Sequence, residues 1–294
     1  MHFLFTLLPF PILALLTLIS NAQIGPFYLF YYGLASYLTI FFLDGLNFII
    51  NKESLILSKT KDFFLSSILS IGVYFIFELI NIRLKLWNYD RMPYEYNLRV
   101  FFYIISYSVI LPTIIEIKTL FAKIKVFDIK LKSWNIKEKK FNLYLYISIS
   151  IFILSLFLKS TYLFAWLSLF LTIDFINYKT GDLSFIRDLR AARWRALFEI
   201  ISASIIFLLL HILYNLNSWI KIRYSDNLSY LISFPLIAMN IYALYNLYLN
   251  LSRKFSDIEK AYYHITLFLI LLFISIVSIR LIDSYSVKTF IFLI

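Results

Sequence analysis

Runs of about 20 mostly apolar residues recur along the whole 294-residue chain, separated by short polar segments. As a helix, each run is long enough to cross a hydrocarbon core of about 30 Å. Hydrophobic residues make up 61% of the sequence and the mean hydropathy is +0.80, whereas soluble domains average about 45–50% apolar residues. The pattern therefore predicts an all-α polytopic membrane protein.

We predict nine membrane helices. They lie at residues 3–20, 27–50, 63–82, 99–121, 141–158, 160–178, 196–216, 226–250 and 262–282. Most of the 28 lysines and arginines fall in the loops of one side of this bundle. Because basic loops stay in the cytoplasm, we expect a plasma (inner) membrane protein with a cytoplasmic N-terminus and an external C-terminus. The first run has an alternative interpretation as a signal peptide, since Ser20-Asn21-Ala22 resembles a cleavage site, although no basic segment precedes it.

A five-residue pattern at the end of the second predicted helix returns at the end of the sixth. Leu43–Asn47 reads LDGLN and Ile173–Asn177 reads IDFIN, and a serine follows each copy at the same distance, as Ser54 and Ser184. Units of four helices, an even number, have the same orientation in the membrane, so the repeat is predicted to be parallel. The predicted organisation is a first four-helix repeat (1–121), a basic cytoplasmic connector (122–140), a second four-helix repeat (141–251) and an extra C-terminal helix (252–294).

Six polar side chains are expected at one level of the bundle, towards its cytoplasmic face. At a rise of 1.5 Å per residue, helices that enter from outside reach this level after about 25 Å. The residues are Asp44, Asn47, Glu116, Asp174, Asn177 and, somewhat nearer the middle, Asn240. Such groups face protein or water rather than lipid. We interpret them as substrate-binding residues between the repeats; the alternative is that each Asp/Asn pair ties a helix end to the following loop.

A second polar group is expected near the outer face. Glu78 lies about one turn inside a helix, Asn81 follows three residues later, and Trp87 and Tyr89 come just beyond the helix end. A carboxyl group in apolar surroundings can stay protonated, which suits a proton donor. The catalytic candidates are therefore Glu78 and Asn81, with Trp87 and Tyr89 as substrate-binding residues. The alternative is structural, with Glu78 bonded to Asn81 or to another neighbour. The second repeat's version of this group is predicted at His211, Asn215 and Trp219.

Composition excludes several kinds of site. The chain has no cysteine, which rules out disulfides and thiolate sites, and its three histidines lack the spacing of a zinc or haem site. None of its five glycines belongs to a nucleotide-phosphate loop. We predict no metal, no cofactor and no nucleic-acid partner, because the excess basic charge belongs to cytoplasmic loops. The expected partners are membrane lipids and a lipophilic small-molecule substrate; no oligomeric state is predicted.

One stretch of the first predicted repeat resembles a known family. Phe77-Glu78, Asn81, Trp87-Asn88-Tyr89 and Pro93 are similar to the helix-end signature of the integral-membrane lycopene cyclase-type proteins, which are also built from short repeated helical units. Pro112 followed by Glu116 is similar to that family's proline-plus-acid helix, although the family has two adjacent glutamates there. In the second repeat, the region from Asp174 to Trp194-Arg195 is similar to stretches of uncharacterised bacterial polytopic membrane proteins.

Three hypotheses on function stay open, and with them the question of whether the chain is an enzyme. The first is a protein that binds or acts on a lipophilic substrate such as an isoprenoid or polyene. The resemblance implies that Glu78 protonates a double bond oriented by Asn81, and that Trp87 or Tyr89 shields the resulting cation. The second is a transporter or lipid-handling protein with a polar pathway between the repeats. The third is a structural membrane subunit whose polar residues hold helices together.

Overall fold

The computed structural model of this protein describes residues 6–23, 27–90, 92–93, 95–122, 124, 140–158, 162–218, 221–224 and 226–290. Within these ranges, helices joined by short turns follow one another along the chain, and two four-residue strands lie among them. In order, the elements are α1 (Pro9–Asn21), α2 (Phe27–Asn51), α3 (Thr60–Leu84), β1 (Trp87–Asp90), α4 (Tyr96–Tyr107), α5 (Ile110–Ala122), α6 (Phe141–Phe157), α7 (Tyr162–Thr180), α8 (Phe185–Arg190), α9 (Arg195–Asn217), β2 (Lys221–Tyr224), α10 (Asn227–Ser252) and α11 (Asp257–Phe290).

Helices occupy each position at which the sequence predicts them. Among the described residues, six candidate spans are long and apolar enough to cross a membrane. They are Phe27–Asn51, Thr60–Leu84, Tyr96–Ala122, Arg195–Asn217, Asn227–Ser252 and Ile258–Ser284. α1 and α6 are apolar but shorter. The all-α class is thereby confirmed, and the six apolar helices agree with a multi-pass membrane protein. The count of nine spans, the parallel repeat and the orientation of the termini stay predictions.

The fourth predicted helix is interrupted in the structure. α4 ends at Tyr107 and α5 begins at Ile110, with Ser108 and Val109 between them. The cause is Pro112, which has no backbone N–H to donate to the carbonyl of Ser108 and whose ring crowds that carbonyl. On both sides of this break the chain packs against the same two helices, α2 and α3.

Side-chain burial separates the interior of the bundle from its outer surface. Aromatic side chains fill the interior, and those of Tyr31, Phe75 and Tyr103 are fully buried. Large apolar side chains such as Leu154 and Phe273 are exposed on the outside, as expected for a surface that meets lipid. The C-terminal helix α11 packs along α3, and α6 packs along α7.

β1 and β2 pair as an antiparallel ribbon, which the sequence analysis did not predict. Trp87 lies opposite Tyr224, and Tyr89 lies opposite Ile222. Each strand directly follows a long helix, α3 or α9, so the ribbon lies where those two helices end. The ribbon therefore links the first predicted repeat to the second by backbone hydrogen bonds.

The bundle has two ends that carry different polar groups. The Glu78 end is the one at which α3 and α9 finish and the ribbon lies. The Asp44 end is the one at which α2 and α7 finish. The predicted connector, residues 122–140, lies almost wholly outside the described residues, so its basic cytoplasmic role stays a prediction.

Candidate functional site

Glu78 accepts hydrogen bonds from four side chains at the Glu78 end. Its Oε1 accepts from Trp87 Nε1 at 3.1 Å and from the hydroxyl groups of Tyr89 and Tyr107 at 2.5 and 3.2 Å. Its Oε2 accepts from Asn81 Nδ2 at 3.3 Å. Glu78 is only 1% exposed, so these four donors replace the water that a carboxylate otherwise needs. The carboxyl group thereby fixes the orientation of three aromatic side chains.

Asn81 turns the chain from α3 into β1. Its Oδ1 accepts the backbone N–H groups of Leu86 and Trp87, both at 3.0 Å, and its Nδ2 donates to the Trp87 carbonyl at 3.0 Å. Just after the helix, Lys85 has a φ of 57°, in the left-handed region typical of a helix end, and its N–H bonds to the Asn81 carbonyl. Asn81 therefore acts as a positioning residue for β1.

The end of α9 carries a similar pair, His211 and Asn215. Asn215 Oδ1 accepts the N–H of Ile222 in β2 at 3.2 Å, much as the asparagine of α3 holds β1. Asn215 Nδ2 lies 2.7 Å from His211 Nε2. The imidazole packs 5.3 Å, between ring centroids, from each of Tyr224, Tyr230 and Phe234. Trp219, predicted for the same group, lies outside the described residues.

A cavity of about 40 Å³ lies beside the ribbon, between helices of both predicted repeats. Its lining includes His211 and five tyrosines: Tyr32, Tyr74, Tyr89, Tyr107 and Tyr224. Tyr32, Tyr74 and Tyr224 are only partly buried, so the cavity is not fully sealed. A space of this size holds a few water molecules. A larger guest therefore has to displace tyrosine side chains.

Glu78 does not itself line this cavity. Tyr89 and Tyr107, whose hydroxyl groups both bond to its carboxyl group, do line it. Burial, together with the neighbouring charge of Glu78, raises the pKa of Tyr89 well above its usual value, so this hydroxyl keeps its proton at neutral pH. A proton that moves between Glu78 and a guest in the cavity would thus have to pass through a tyrosine hydroxyl.

Asp44 holds the loop that follows α2. Its Oδ1 accepts the backbone N–H groups of Leu55 and Ile56 at 2.6 and 3.2 Å, and its Oδ2 accepts the Ser54 hydroxyl at 2.7 Å. Asp44 is buried, and its acceptors are turned towards the loop rather than towards lipid. The side chain therefore fastens the end of one helix to the start of the next.

Asp174 holds the loop that follows α7 with the same kinds of partner at the same spacing. Its Oδ1 accepts the N–H of Phe185 at 2.8 Å. Its Oδ2 accepts the N–H of Ile186 at 2.8 Å and the Ser184 hydroxyl at 3.0 Å. Asp174 is fully buried. Each aspartate thus bonds to residues ten, eleven and twelve positions ahead of it.

The two predicted asparagines tie these helices to their neighbours. Asn47 Nδ2 donates to Glu116 of α5, to the carbonyl at 2.8 Å and to Oε2 at 2.5 Å. Asn177 Nδ2 donates to the carbonyl of Ala243 in α10 at 2.7 Å, and its Oδ1 accepts from Asn250 at 3.1 Å. The structure therefore brings Asn47 and Glu116 together at one level and places Asn177 in a separate contact.

Asn240 is buried in α10 and binds within the second predicted repeat. Its Nδ2 donates to the carbonyl of Trp166 in α7 at 3.0 Å and to that of Leu236 at 2.8 Å. Among the described residues, its hydrogen bonds go to these two carbonyls and not to Asp174 or Asn177. The substrate-binding role predicted for Asn240 and the other residues of this level stays a prediction.

A polar contact that the sequence did not predict crosses the bundle at the Asp44 end. Lys118 Nζ of α5 donates to Asn246 Oδ1 of α10 at 2.6 Å and lies 4.2 Å from the centre of the Tyr242 ring. The buried Glu199 of α9 interacts electrostatically with the same ammonium group. These residues lie on three helices and are far apart in the chain, so no local pattern predicts their meeting.

Within the described ranges, no three His, Cys, Asp or Glu side chains lie close enough together to hold a metal ion. No protein-family model, curated protein or solved structure matches this chain. The functional conclusion therefore depends on the geometry of the residues themselves.

Proposed function

We propose that this chain is a multi-pass membrane protein that binds a lipophilic small molecule, such as an isoprenoid or polyene, in the aromatic cavity between two parallel repeats. The observation that carries the proposal is the link between Glu78 and the cavity. Among the predicted site residues, Tyr89 lines the cavity and is held there by the carboxyl group of Glu78. Asn81 and Trp87 complete the support of the same strand.

The chemistry of the lining supports a guest of this class. Tyrosine and phenylalanine rings provide apolar faces for a conjugated chain, and their π-systems attract a cation. The half-buried side chains of Tyr32, Tyr74 and Tyr224 can move more easily than fully buried ones. Their movement would let a ligand larger than the cavity enter. Hydroxyl groups at the same wall can orient a polar end of the guest.

The cyclase-type hypothesis is a narrower form of this proposal. In it, Glu78 starts as the neutral acid. The Tyr89 hydroxyl gives its proton to one carbon of a double bond, and the π-electrons form the new C–H bond. The other carbon becomes a carbocation beside the aromatic rings. Tyr89 recovers a proton from Glu78, whose carboxylate is then stabilised by Trp87 Nε1 and Asn81 Nδ2, groups that can only donate.

The test is mass spectrometry of lipids that co-purify with the full chain in mild detergent from cells that accumulate a linear polyene. We expect the polyene or a polyprenyl lipid to be retained. Replacing Ser106 by Leu fills the cavity, and the Ser106 hydroxyl makes no hydrogen bond to the described residues, so little else is lost. We expect Ser106→Leu to reduce retention by at least about fivefold, the effect of roughly 1 kcal/mol.

Ser67→Leu is the matched control. Ser67 is also a buried helical serine whose hydroxyl bonds to none of the described residues, but it does not line the cavity. It should keep the wild-type amount of polyene. Equal retention in Ser106→Leu and Ser67→Leu would remove the proposed site. For the narrower cyclase hypothesis, product that still forms in Glu78→Gln would exclude the proton relay while leaving the binding proposal intact.

The transport and structural hypotheses make different predictions for the Asp44 end. Transport along a polar pathway predicts a substrate flux in reconstituted vesicles that is lost when Asp44 and Asp174 are both replaced. The bonds of these two aspartates to their own loops agree better with a structural role. A structural role predicts lower thermal stability without any change in polyene retention by the surviving folded protein.

A further inference from the structure

A second and larger cavity lies at the Asp44 end, far from the aromatic one. Its volume is about 280 Å³, and it is a groove between α3, α5, α10, α11 and the loop after α2. We call it the Asp62 groove, after the carboxylate at its mouth. Asp62 and Glu78 are 16 residues apart on α3, which separates the two cavities by about 24 Å along the helix axis.

The Asp62 groove changes from charged to apolar along its length. One face of α3 carries Asp62, Leu65 and Leu69. Asp62 lies at the mouth of the groove, and Leu69 lies about 10 Å further inside the bundle along the helix axis. On α5, Thr119 is followed inwards by residues Ile115 and Leu111 at spacings of one turn. Two independent helices thus show the same gradient, which is the gradient of a lipid molecule from head group to acyl chain.

The charges at the mouth are balanced. Two carboxylates, Glu53 and Asp62, and two ammonium groups, Lys59 and Lys260, line it. Lys59 Nζ lies 3.0 Å from Glu53 Oε2, and both of these side chains are partly exposed. A head group with only negative charge meets as many repelling as attracting groups here. A head group with a phosphate and an ammonium group can pair with both kinds.

A primary ammonium group fits this mouth better than a quaternary one. It presents N–H donors to the carboxylates of Asp62 and Glu53, whereas a trimethylammonium group offers none. The volume is just below the roughly 300–1,000 Å³ of pockets that hold drug-sized molecules, so it suits a head group and the first ester carbons. The rest of the acyl chains would run along the lipid-facing surface.

We propose that the Asp62 groove binds a zwitterionic phospholipid whose head group carries a phosphate and a primary amine. The lipid exchanges partners with the Lys59–Glu53 ion pair. Its ammonium group pairs with Asp62 and Glu53, its phosphate pairs with Lys260 and Lys59, and the ester region lies against Leu65. This site is separate from the polyene site and does not depend on it.

The experiment is native mass spectrometry of the delipidated full chain with phosphatidylethanolamine, phosphatidylglycerol or phosphatidylcholine of matched acyl chains. We expect phosphatidylethanolamine to bind about fivefold more tightly than either competitor, the upper range for partly exposed charge pairs. Asp62→Asn removes the carboxylate at an exposed position, so folding is preserved. It should abolish the preference over phosphatidylcholine. Equal binding of all three lipids by the wild-type protein would overturn the proposal, as would tighter binding of phosphatidylglycerol.

Two further variants make the result specific. Leu69→Trp fills the apolar end of the groove and should weaken all three lipids together. Glu95→Gln, an exposed carboxylate at the Glu78 end, should change none of them. A loss of preference in Glu95→Gln equal to that in Asp62→Asn would show a general charge effect and contradict the assignment. Polyene retention should be unchanged in Asp62→Asn, which separates this site from the aromatic cavity.

Discussion

The loops held by Asp44 and Asp174 are built alike, whereas the helix ends at Glu78 and His211 are not. Each aspartate accepts a serine hydroxyl and two consecutive backbone N–H groups at the same spacing. Glu78, about one turn before its asparagine, accepts four donors. His211, about one turn before Asn215, has one polar contact and several aromatic ones.

The aspartate-held loop occurs in both halves of the chain, whereas the carboxyl group with four donors occurs in one half. A buried loop start requires its N–H groups to be satisfied in both halves, so the same device appears twice. A carboxyl group is costly to bury even with four donors. In the other half of the chain, the residue one turn before the asparagine is His211, which has no carboxyl group. The four-donor arrangement thus distinguishes the Glu78 end of the ribbon from the His211 end, as the proposed role of Glu78 beside the cavity requires.

The largest effect is expected from Asp44→Ala and Asp174→Ala. Each change leaves two buried backbone N–H groups without an acceptor, at about 1–3 kcal/mol per group. We expect each variant to lower the free energy of unfolding by about 3 kcal/mol. Reversible unfolding in mixed micelles, followed by tryptophan fluorescence, measures this. If the loss of unfolding free energy in one variant is less than half of that in the other, the two loops are not equivalent.

The helices could be predicted from the sequence because the length of an apolar run matches the thickness of the hydrocarbon core. The second predicted helix, 27–50, differs by one residue from Phe27–Asn51. The third, 63–82, is longer in the structure, Thr60–Leu84. Its first turn contains Asp62 and its last turn Arg83, charges that favour the two ends of a helix dipole but do not count as apolar.

The residues of the candidate site could be predicted only where they contact residues that are near in the sequence or where their pattern recurs. Glu78 and Asn81 are one turn apart, and the link from Asp44 to Ser54 was visible because it recurs. Tyr107 reaches Glu78 from another helix, a contact set by tertiary packing. The ribbon was missed because four residues are too few for an alternating pattern to stand out beside helical runs.

The next largest effect is expected at the two helix ends, where we compare the stability of Glu78→Leu with that of His211→Phe. Glu78→Leu leaves the buried Trp87 Nε1–H without its acceptor, and we expect a loss of about 2 kcal/mol. His211→Phe keeps the packing against Tyr224 and removes one hydrogen bond, at about 1 kcal/mol or less. Thermal unfolding in detergent measures both. Equal losses would mean that the two helix ends are equivalent after all.

A smaller effect distinguishes the two aspartates themselves. In Asp44→Asn, the remaining oxygen can accept both N–H groups, since Leu55 and Ile56 already share Oδ1. The Ser54 hydroxyl, which donates to Oδ2 in the wild type, can accept from the new NH₂ group instead, so we expect a loss below about 0.5 kcal/mol. In Asp174→Asn, the N–H groups of Phe185 and Ile186 need different oxygens. One of them then faces an NH₂ group, which costs about 1.5 kcal/mol. Similar unfolding midpoints for the two variants would contradict this geometry.

The smallest difference between paired variants is expected for the two serines. The Ser54 hydroxyl donates to Asp44 at 2.7 Å and accepts the N–H of Leu57 at 2.8 Å, whereas Ser184 makes the equivalent bonds at 3.0 and 3.4 Å. Because shorter bonds of this kind are stronger, Ser54→Ala should cost about 1 kcal/mol and Ser184→Ala about 0.5 kcal/mol. Double-mutant cycles with Asp44→Asn and Asp174→Asn isolate the serine–aspartate term. A larger coupling for Ser184 would show that the second loop, despite its longer bonds, depends more on its serine than the first.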